Sequence, residues 1–325
     1  MCTRVIWTPD GRPAVVGRNM DWQSSLQTNL WITPRGVARN GAPSDPNPLT
    51  WTARYGSVVA TAYDAAVPDG MNEKGLAAHL LWLVESDYGD RSDPAKAAGL
   101  EQSLWAQFVL DRFATVAEFV AYVEANPVQI LAQPMRGTSG ATTHLAVEDP
   151  TGDSAIVEYL DGVAHIHHGP QHTVLTNSPP YPEQLANLTR YDGLGGTAAL
   201  PGTTLAADRF VRARYYRDRL PAPTSDGEAY AAVLSVIRNA AQPFSYPGAA
   251  DEPNLSHTIW STLCDLTNRR YAFASAYRTD IFWTDLTHAD FTHARKLELD
   301  LADPTLSGDV TDRYREAELF SYAGA

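Results

Sequence analysis

The second residue of the chain is a cysteine, and that position offers chemistry an internal cysteine lacks. Once Met1 is removed, Cys2 carries a thiol and a free α-amine on one residue. An α-amine titrates near ~7.7–8.0 and a free thiol near ~8.5. The amine can therefore accept the thiol's proton around neutral pH, with no separate histidine. Nucleophile and base share one Cα, so the attack is organised in advance. The small cysteine side chain also suits removal of the initiator methionine. Position alone is thin support, because any residue can stand second.

Other residues add to it. In Gly17-Arg18-Asn19-Met20-Asp21-Trp22, Arg18 and Asp21 return close to Cys2 if the two segments pair as a hairpin. A guanidinium beside a thiol favours the thiolate, and a carboxylate could hold the α-amine. Taken alone, the pair reads as a surface ion pair. Asn177 precedes Ser178-Pro179-Pro180, where a rigid turn could aim its side chain. Alone, it is a turn asparagine. Arg209 follows Asp208 on a helical pattern, and alone it is a helix-surface ion pair worth under ~1 kcal/mol. His165 and His167 share one face of a strand with His168 beside them, a weak metal pattern that no Cys or carboxylate cluster completes. We expect no metal and no cofactor. There is no Gly-rich phosphate loop and no Gly-x-Ser-x-Gly elbow.

The elements needed to position these residues are legible in outline. Thr3 to Thr8 and Ala14 to Gly17 flank Pro9-Asp10-Gly11-Arg12-Pro13, which predicts an opening β-hairpin. Further strands are expected at Trp51 to Tyr63, Gly75 to Leu83, His144 to Val147, Ala155 to Tyr159 and Ala164 towards Thr176. His257 to Thr287 should give two or three more, broken near Thr267-Asn268. Helical spacing covers Leu104 to Val109. Capping boxes are expected at Thr115/Glu118 and Ser225/Glu228, and a helix at Ala207 to Arg219. Strands and helices come in blocks rather than alternating, which predicts α+β layers. No repeat or low-complexity linker interrupts residues 1–325, so one domain is expected.

The 325 residues are 44% hydrophobic, enough for a large core. A net charge of -13 argues against a basic nucleic-acid footprint. The two cysteines, Cys2 and Cys264, lie too far apart for a disulfide scaffold, and Cys264 reads as a buried small hydrophobe. No segment resembles a signal peptide or a membrane span. A cytoplasmic protein without membrane or nucleic-acid partners is expected.

Together these segments resemble the choloylglycine hydrolase family, which includes bile salt hydrolases and penicillin V acylases. The resemblance rests on Met-Cys-Thr-Arg, Gly17 to Trp22, Asp69-Gly70-Met71-Asn72-Glu73-Lys74-Gly75-Leu76, Leu175-Thr176-Asn177-Ser178-Pro179, and Leu200-Pro201-Gly202 followed by Arg209-Phe210-Val211-Arg212. It spans nearly the whole chain. It implies a four-layer αββα N-terminal-nucleophile fold, a homotetramer, and hydrolysis of small linear amides. It also implies Cys2 as nucleophile, Arg18 and Asp21 as its orienting residues, Asn177 as oxyanion donor and Arg209 as the active-site arginine. Trp82 falls where relatives supply an oxyanion N–H.

Two departures matter. Asp208 stands where many relatives carry Ser, so an acid could weaken the field of Arg209. Trp82 stands where bile salt hydrolases tend to carry Asn and penicillin V acylases a bulky aromatic. An indole wall, joined by Trp22, favours flat or aliphatic acyl groups over a steroid's polar groups. Both tryptophans could equally be core residues. The expected substrates are phenoxyacyl amides or N-acyl homoserine lactones. Conjugated bile salts are the runner-up, and a non-catalytic acyl-amide-binding relative is the alternative class.

Overall fold

The computed structural model describes residues 1–132, 142–244 and 256–322. Two sheets dominate it. A seven-stranded sheet runs Val174–Leu175, Cys2–Trp7 (β1), Val15–Trp22 (β2), His257–Asp265, Arg270–Ser275, Phe282–Asp285 and Gly308–Asp309. A nine-stranded sheet runs Val163–His168, Ser154–Leu160, Thr143–Glu148, Ala77–Trp82, Ala66–Asn72, Ser57–Ala62, Leu30–Thr33, Arg295–Leu297 and Arg315–Glu316. Pairing is antiparallel except where Phe282–Asp285 meets Gly308–Asp309.

Side chains alternate across each strand, so each sheet offers one apolar face to the other sheet and one to helices. Ile6, Val16, Met20, Ile32, Val58, Met71, Leu81, Ala146 and Phe273 fill the space between the sheets. On the outer face of the nine-stranded sheet, Val59, Leu80, Leu145 and Val157 meet Trp105, Phe108 and Phe119. Those three come from helices α1 (Trp105–Arg112) and α2 (Val116–Ala125). Helices α3 (Tyr181–Leu188), α4 (Ala206–Arg217) and α5 (Asp226–Ala240) follow, with α4 and α5 lying on β1 and β2. Gly17 allows the close approach of α5, since a Cβ there would sit 2.9 Å from Val233 and Ile237. The order is helices, sheet, sheet, helices.

Both expected N-caps form: Thr115 and Ser225 accept from the backbone N–H of Glu118 (3.2 Å) and Glu228 (3.1 Å), while the two glutamates accept from the N–H of Ala114 and Thr224, one residue before the cap. The expected break near Thr267-Asn268 separates His257–Asp265 from Arg270–Ser275. Cys264 is fully buried. Two expected strands split. Trp51 to Tyr63 becomes Thr50–Thr52 and Ser57–Ala62, because the amides of Arg54 and Tyr55 turn to the Asp111 carbonyl. Ala164 to Thr176 becomes Val163–His168 and Val174–Leu175, which belong to different sheets. Helix α3 and the strand Ala66–Asn72 lie where no element was expected.

Candidate active site

The opening hairpin sets the first distances. In register, Cys2 faces Met20 and Arg4 faces Arg18. Cys2, Arg18 and Met20 thereby project between the sheets, where the Arg18 Nη2 lies 3.2 Å from Cys2 Sγ. The same nitrogen donates to the Leu80 carbonyl at 2.9 Å, and the guanidinium sits 4.8 Å above the Trp260 ring. Arg18 has no exposed surface, and it is far from the surface ion pair its isolated motif suggested.

The strand Val174–Leu175 pairs with β1, Arg4 facing Leu175. Continuing that register brings Asn177 opposite Cys2. Its Oδ1 accepts from the Cys2 nitrogen at 2.5 Å and from Arg209 Nη2 at 2.9 Å. Two donors on one atom settle which end of the amide is oxygen. Its Nδ2 donates to the Trp82 carbonyl at 2.7 Å and carries a second N–H. The Trp82 N–H shares that strand edge, because Leu83 donates the other way to Thr142.

Arg209 is buried, not at a helix surface. It donates to the Cys2 carbonyl (2.5 Å), the Thr3 hydroxyl (2.6 Å) and the Thr204 carbonyl (2.9 Å). It therefore clips the Cys2 backbone, and its charge also acts on Cys2. Asp208 bonds Thr203 in the first turn of α4, where an acid suits the helix dipole. The expected weakening of Arg209 by its neighbour has no geometric basis.

Asp21 lies in the cluster by a different route from the expected one. Its carboxylate accepts from Thr258 (2.6 Å) and Gln242 (2.9 Å) and lies 3.5 Å from Arg209 Nη1. Its backbone meets Met1, whose carbonyl accepts the Asp21 N–H at 2.8 Å and whose amine donates to the Asp21 carbonyl. Met1 thus extends the β1–β2 ladder. Burial pushes the Met1 amine below its ordinary value, and Arg209 and Arg18 add to that against Cys2 and Asp21.

Trp22 and Trp82 are not core residues. Both are partly exposed, and their rings meet edge to face at 6.0 Å and 69°. Trp22 lies two residues beyond Met20 on β2, so the pair stands beside Cys2.

Sequence reasoning missed a layer behind the thiol. Asp69, His79, Glu148 and Arg4 are fully buried between the sheets. Asp69 lies in a matched motif but was given no role, and His79 interrupts an apolar run. A polar residue at an inward position of a strand was the available signal. The three histidines lie elsewhere: His168 pairs with Asp153 at 2.8 Å, and His167 stacks on Tyr181 at 5.0 Å. Among the described residues no cluster is arranged to hold a metal.

A thiol on the second residue, a guanidinium on its sulfur and an amide on its nitrogen are parts that an acyl-transfer site would need. The comparisons agree with that class. Residues 2–307 match the model of linear amide C–N hydrolases, choloylglycine hydrolase family. Penicillin V acylase of Pectobacterium atrosepticum is 39% identical, covering 99% of this chain and 92% of its own. A bile salt hydrolase/transferase of Clostridium perfringens is 28% identical, covering 74% and 79%. The structure of penicillin V acylase from Agrobacterium tumefaciens superposes with a TM-score of 0.89, at 42% identity over 100% of both chains. A mutant conjugated bile acid hydrolase from Clostridium perfringens, at 21% identity over 92% and 97%, shares the fold with a TM-score of 0.78. The chain belongs to the choloylglycine hydrolase family and is a linear amide C–N hydrolase with the four-layer N-terminal-nucleophile fold. No helix among the described residues is long and apolar enough to cross a membrane.

Proposed function

We propose that Met1 is removed and that Cys2 then hydrolyses a small linear amide through an S-acyl intermediate. The observation that carries this is the double hold on one residue: Arg18 on Cys2 Sγ and Asn177 Oδ1 on the Cys2 nitrogen. Loss of Met1 turns that nitrogen into a primary amine in the same enclosed place. The burial that depresses the Met1 amine would act on it too, keeping a neutral, proton-accepting form near pH 7.

The amine takes the thiol proton as sulfur attacks the amide carbonyl. The second N–H of Asn177 and the N–H of Trp82 face the developing oxyanion. The C–N bond breaks as the α-amine returns the proton to the leaving nitrogen. Water, deprotonated by the same amine, then splits the thioester to the free acid. Arg18 supports the thiolate, while Arg209 and Asp21 fix the backbone that carries it.

The preferred substrates are phenoxyacyl amides such as penicillin V, or N-acyl homoserine lactones. The Trp22–Trp82 pair supports this choice: two partly exposed indoles meeting edge to face give an apolar corner with little hydrogen bonding. Conjugated bile salts rank second. We expect a homotetramer, as the family resemblance suggests.

Two measurements test the reading. Intact mass of the purified protein should show the chain starting at Cys2; retained Met1 overturns the mechanism. Cys2→Ala should abolish release of the amine product from penicillin V, N-acyl homoserine lactones and glycine-conjugated bile salts alike. Residual hydrolysis by that variant rejects Cys2 as nucleophile.

A further inference from the structure

Behind the thiol, an unbroken row of buried charge crosses the space between the sheets. Arg18 Nη1 lies 3.4 Å from Asp69 Oδ2, and the same oxygen lies 2.6 Å from His79 Nδ1. His79 Nε2 is 3.2 Å from Glu148 Oε2, and Glu148 Oε1 is 2.7 Å from Arg4 Nε. Every one of these side chains has no exposed surface.

The arrangement answers a problem set by the opening hairpin. Arg4 and Arg18 are cross-strand partners, and like charges directly opposite are destabilising. Two carboxylates from the other sheet answer them, one for each arginine. His79 stands between those carboxylates: its Nδ1 shares a hydrogen bond with Asp69, and its Nε2 lies at ion-pair distance from Glu148 without the alignment of a hydrogen bond. A carboxylate beside each ring nitrogen favours a positive charge on the ring.

We propose that His79 is a positioning residue for Cys2: an imidazolium clamped between Asp69 and Glu148 that holds Arg18 in place and leaves the buried layer one positive charge in excess, which the Cys2 thiolate balances. The proposal rests on Cys2 being the nucleophile. Burial pushes the His79 ring down, but Asp69 and Glu148 outweigh it and raise the ring to about 9. Burial likewise pushes Asp69 up, and His79, Arg18 and Tyr271 bring it below its ordinary value.

The other groups facing the layer do not alter the balance. Tyr271 donates to Asp69 Oδ1 at 2.6 Å, and burial with nearby Asp69 keeps its hydroxyl protonated. The Cys264 thiol feels Asp69, Glu148, Asp265 and Arg18, and burial pushes it well above its ordinary value; the Asp265 carboxylate is itself held by the Tyr230 hydroxyl and Asn268, away from the row. Three cations (Arg4, Arg18 and His79) therefore meet two carboxylates within the layer, and Cys2 Sγ, 3.2 Å from Arg18, is the group placed to take up the excess charge.

The test is the pH dependence of Cys2 alkylation by iodoacetamide, read by peptide mapping on the mature enzyme. His79→Gln should move the alkylation midpoint to higher pH by about one unit, with kcat falling and KM little changed. His79→Gln/Glu148→Gln removes one charge of each sign and should bring the midpoint most of the way back. A purely structural role predicts the opposite, with the double variant further from wild type than the single one. An unmoved midpoint in His79→Gln also overturns the proposal. Labelling of Cys264 reports any variant that fails to fold. Wild-type protein provides a test independent of folding, since nitrogen NMR should find the His79 ring doubly protonated at pH 7.5; a neutral ring there overturns the proposal. If Cys2→Ala retains hydrolysis, the proposed mechanism falls, whereas the alkylation midpoints still decide the charge balance.

Discussion

The side-chain oxygen of Asn177 lies 2.5 Å from the nitrogen of Cys2, across 175 positions of sequence. One amide therefore holds the Cys2 nitrogen with its oxygen and, in the proposed mechanism, turns an N–H towards the oxyanion. These two duties can be separated. Asn177→Asp keeps the acceptor for Cys2 and Arg209 but removes the donor. It should fold and lose about 10²–10³ in kcat, as removal of one oxyanion donor does. Asn177→Ala should lose at least as much activity and also stability. Steady-state kinetics with thermal melts check both, and an active Asn177→Asp would remove Asn177 from the oxyanion role.

Arg209 joins Cys2, Thr3 and Asn177 from a buried position and stands 3.5 Å from Asp21. Its removal leaves the Asp21 carboxylate and several acceptors without their cation. Arg209→Ala should cost about 3 kcal/mol or more in unfolding free energy. Arg209→Lys should recover only part of it, because one ammonium cannot reproduce the fork. Urea melts of the two variants decide the matter, and a loss under ~1 kcal/mol would return Arg209 to an ordinary helix-surface role.

The indole pair makes a prediction about selectivity. Trp82→Asn keeps the backbone N–H on its strand edge but replaces a flat apolar wall with a small polar group. The ratio of kcat/KM for glycine-conjugated bile salts over penicillin V should rise by about tenfold or more. An unchanged ratio would show that residue 82 does not choose the acyl group.

Stability should fall at both ends of the pH range, for different groups. Burial pushes the Glu158 carboxyl up, but His144, His167 and the Tyr181 N–H outweigh it and hold it near about 2 against 4.5. A depressed carboxyl stabilises above its unfolded value, so this contribution, about 3 kcal/mol, is lost as pH falls from 4.5 through 2. His79 has the opposite sign. Its ring is raised from 6.5 to about 9, so its contribution is full below 6.5 and lost as pH rises through 9. Melting temperature against pH should show both limbs. Glu158→Gln should flatten the acid limb only, and an unchanged acid limb in that variant would reject the assignment.

Local signals were legible wherever the physics is local. Both helix N-caps, the opening hairpin and the break after Asp265 follow from turn chemistry and backbone hydrogen bonding within a few residues. Signals failed where one segment serves two sheets. Val163–His168 and Val174–Leu175 read as one strand, because nothing in their composition says which neighbour each will pair with.

For the site, the sequence determined where Cys2 stands, the hairpin that returns Arg18 to it, and the family motifs that contain Asn177 and Arg209. Tertiary structure alone decided what these residues do for one another. It buried Arg209 behind Cys2, tied the Asp21 carboxylate to Thr258 and Gln242, and left two tryptophans half-buried. It also stacked Asp69, His79 and Glu148 of one sheet against Arg4 and Arg18 of the other. Sequence periodicity says which face of a strand a side chain takes. Which charges then meet across the gap depends on how the two sheets are laid together.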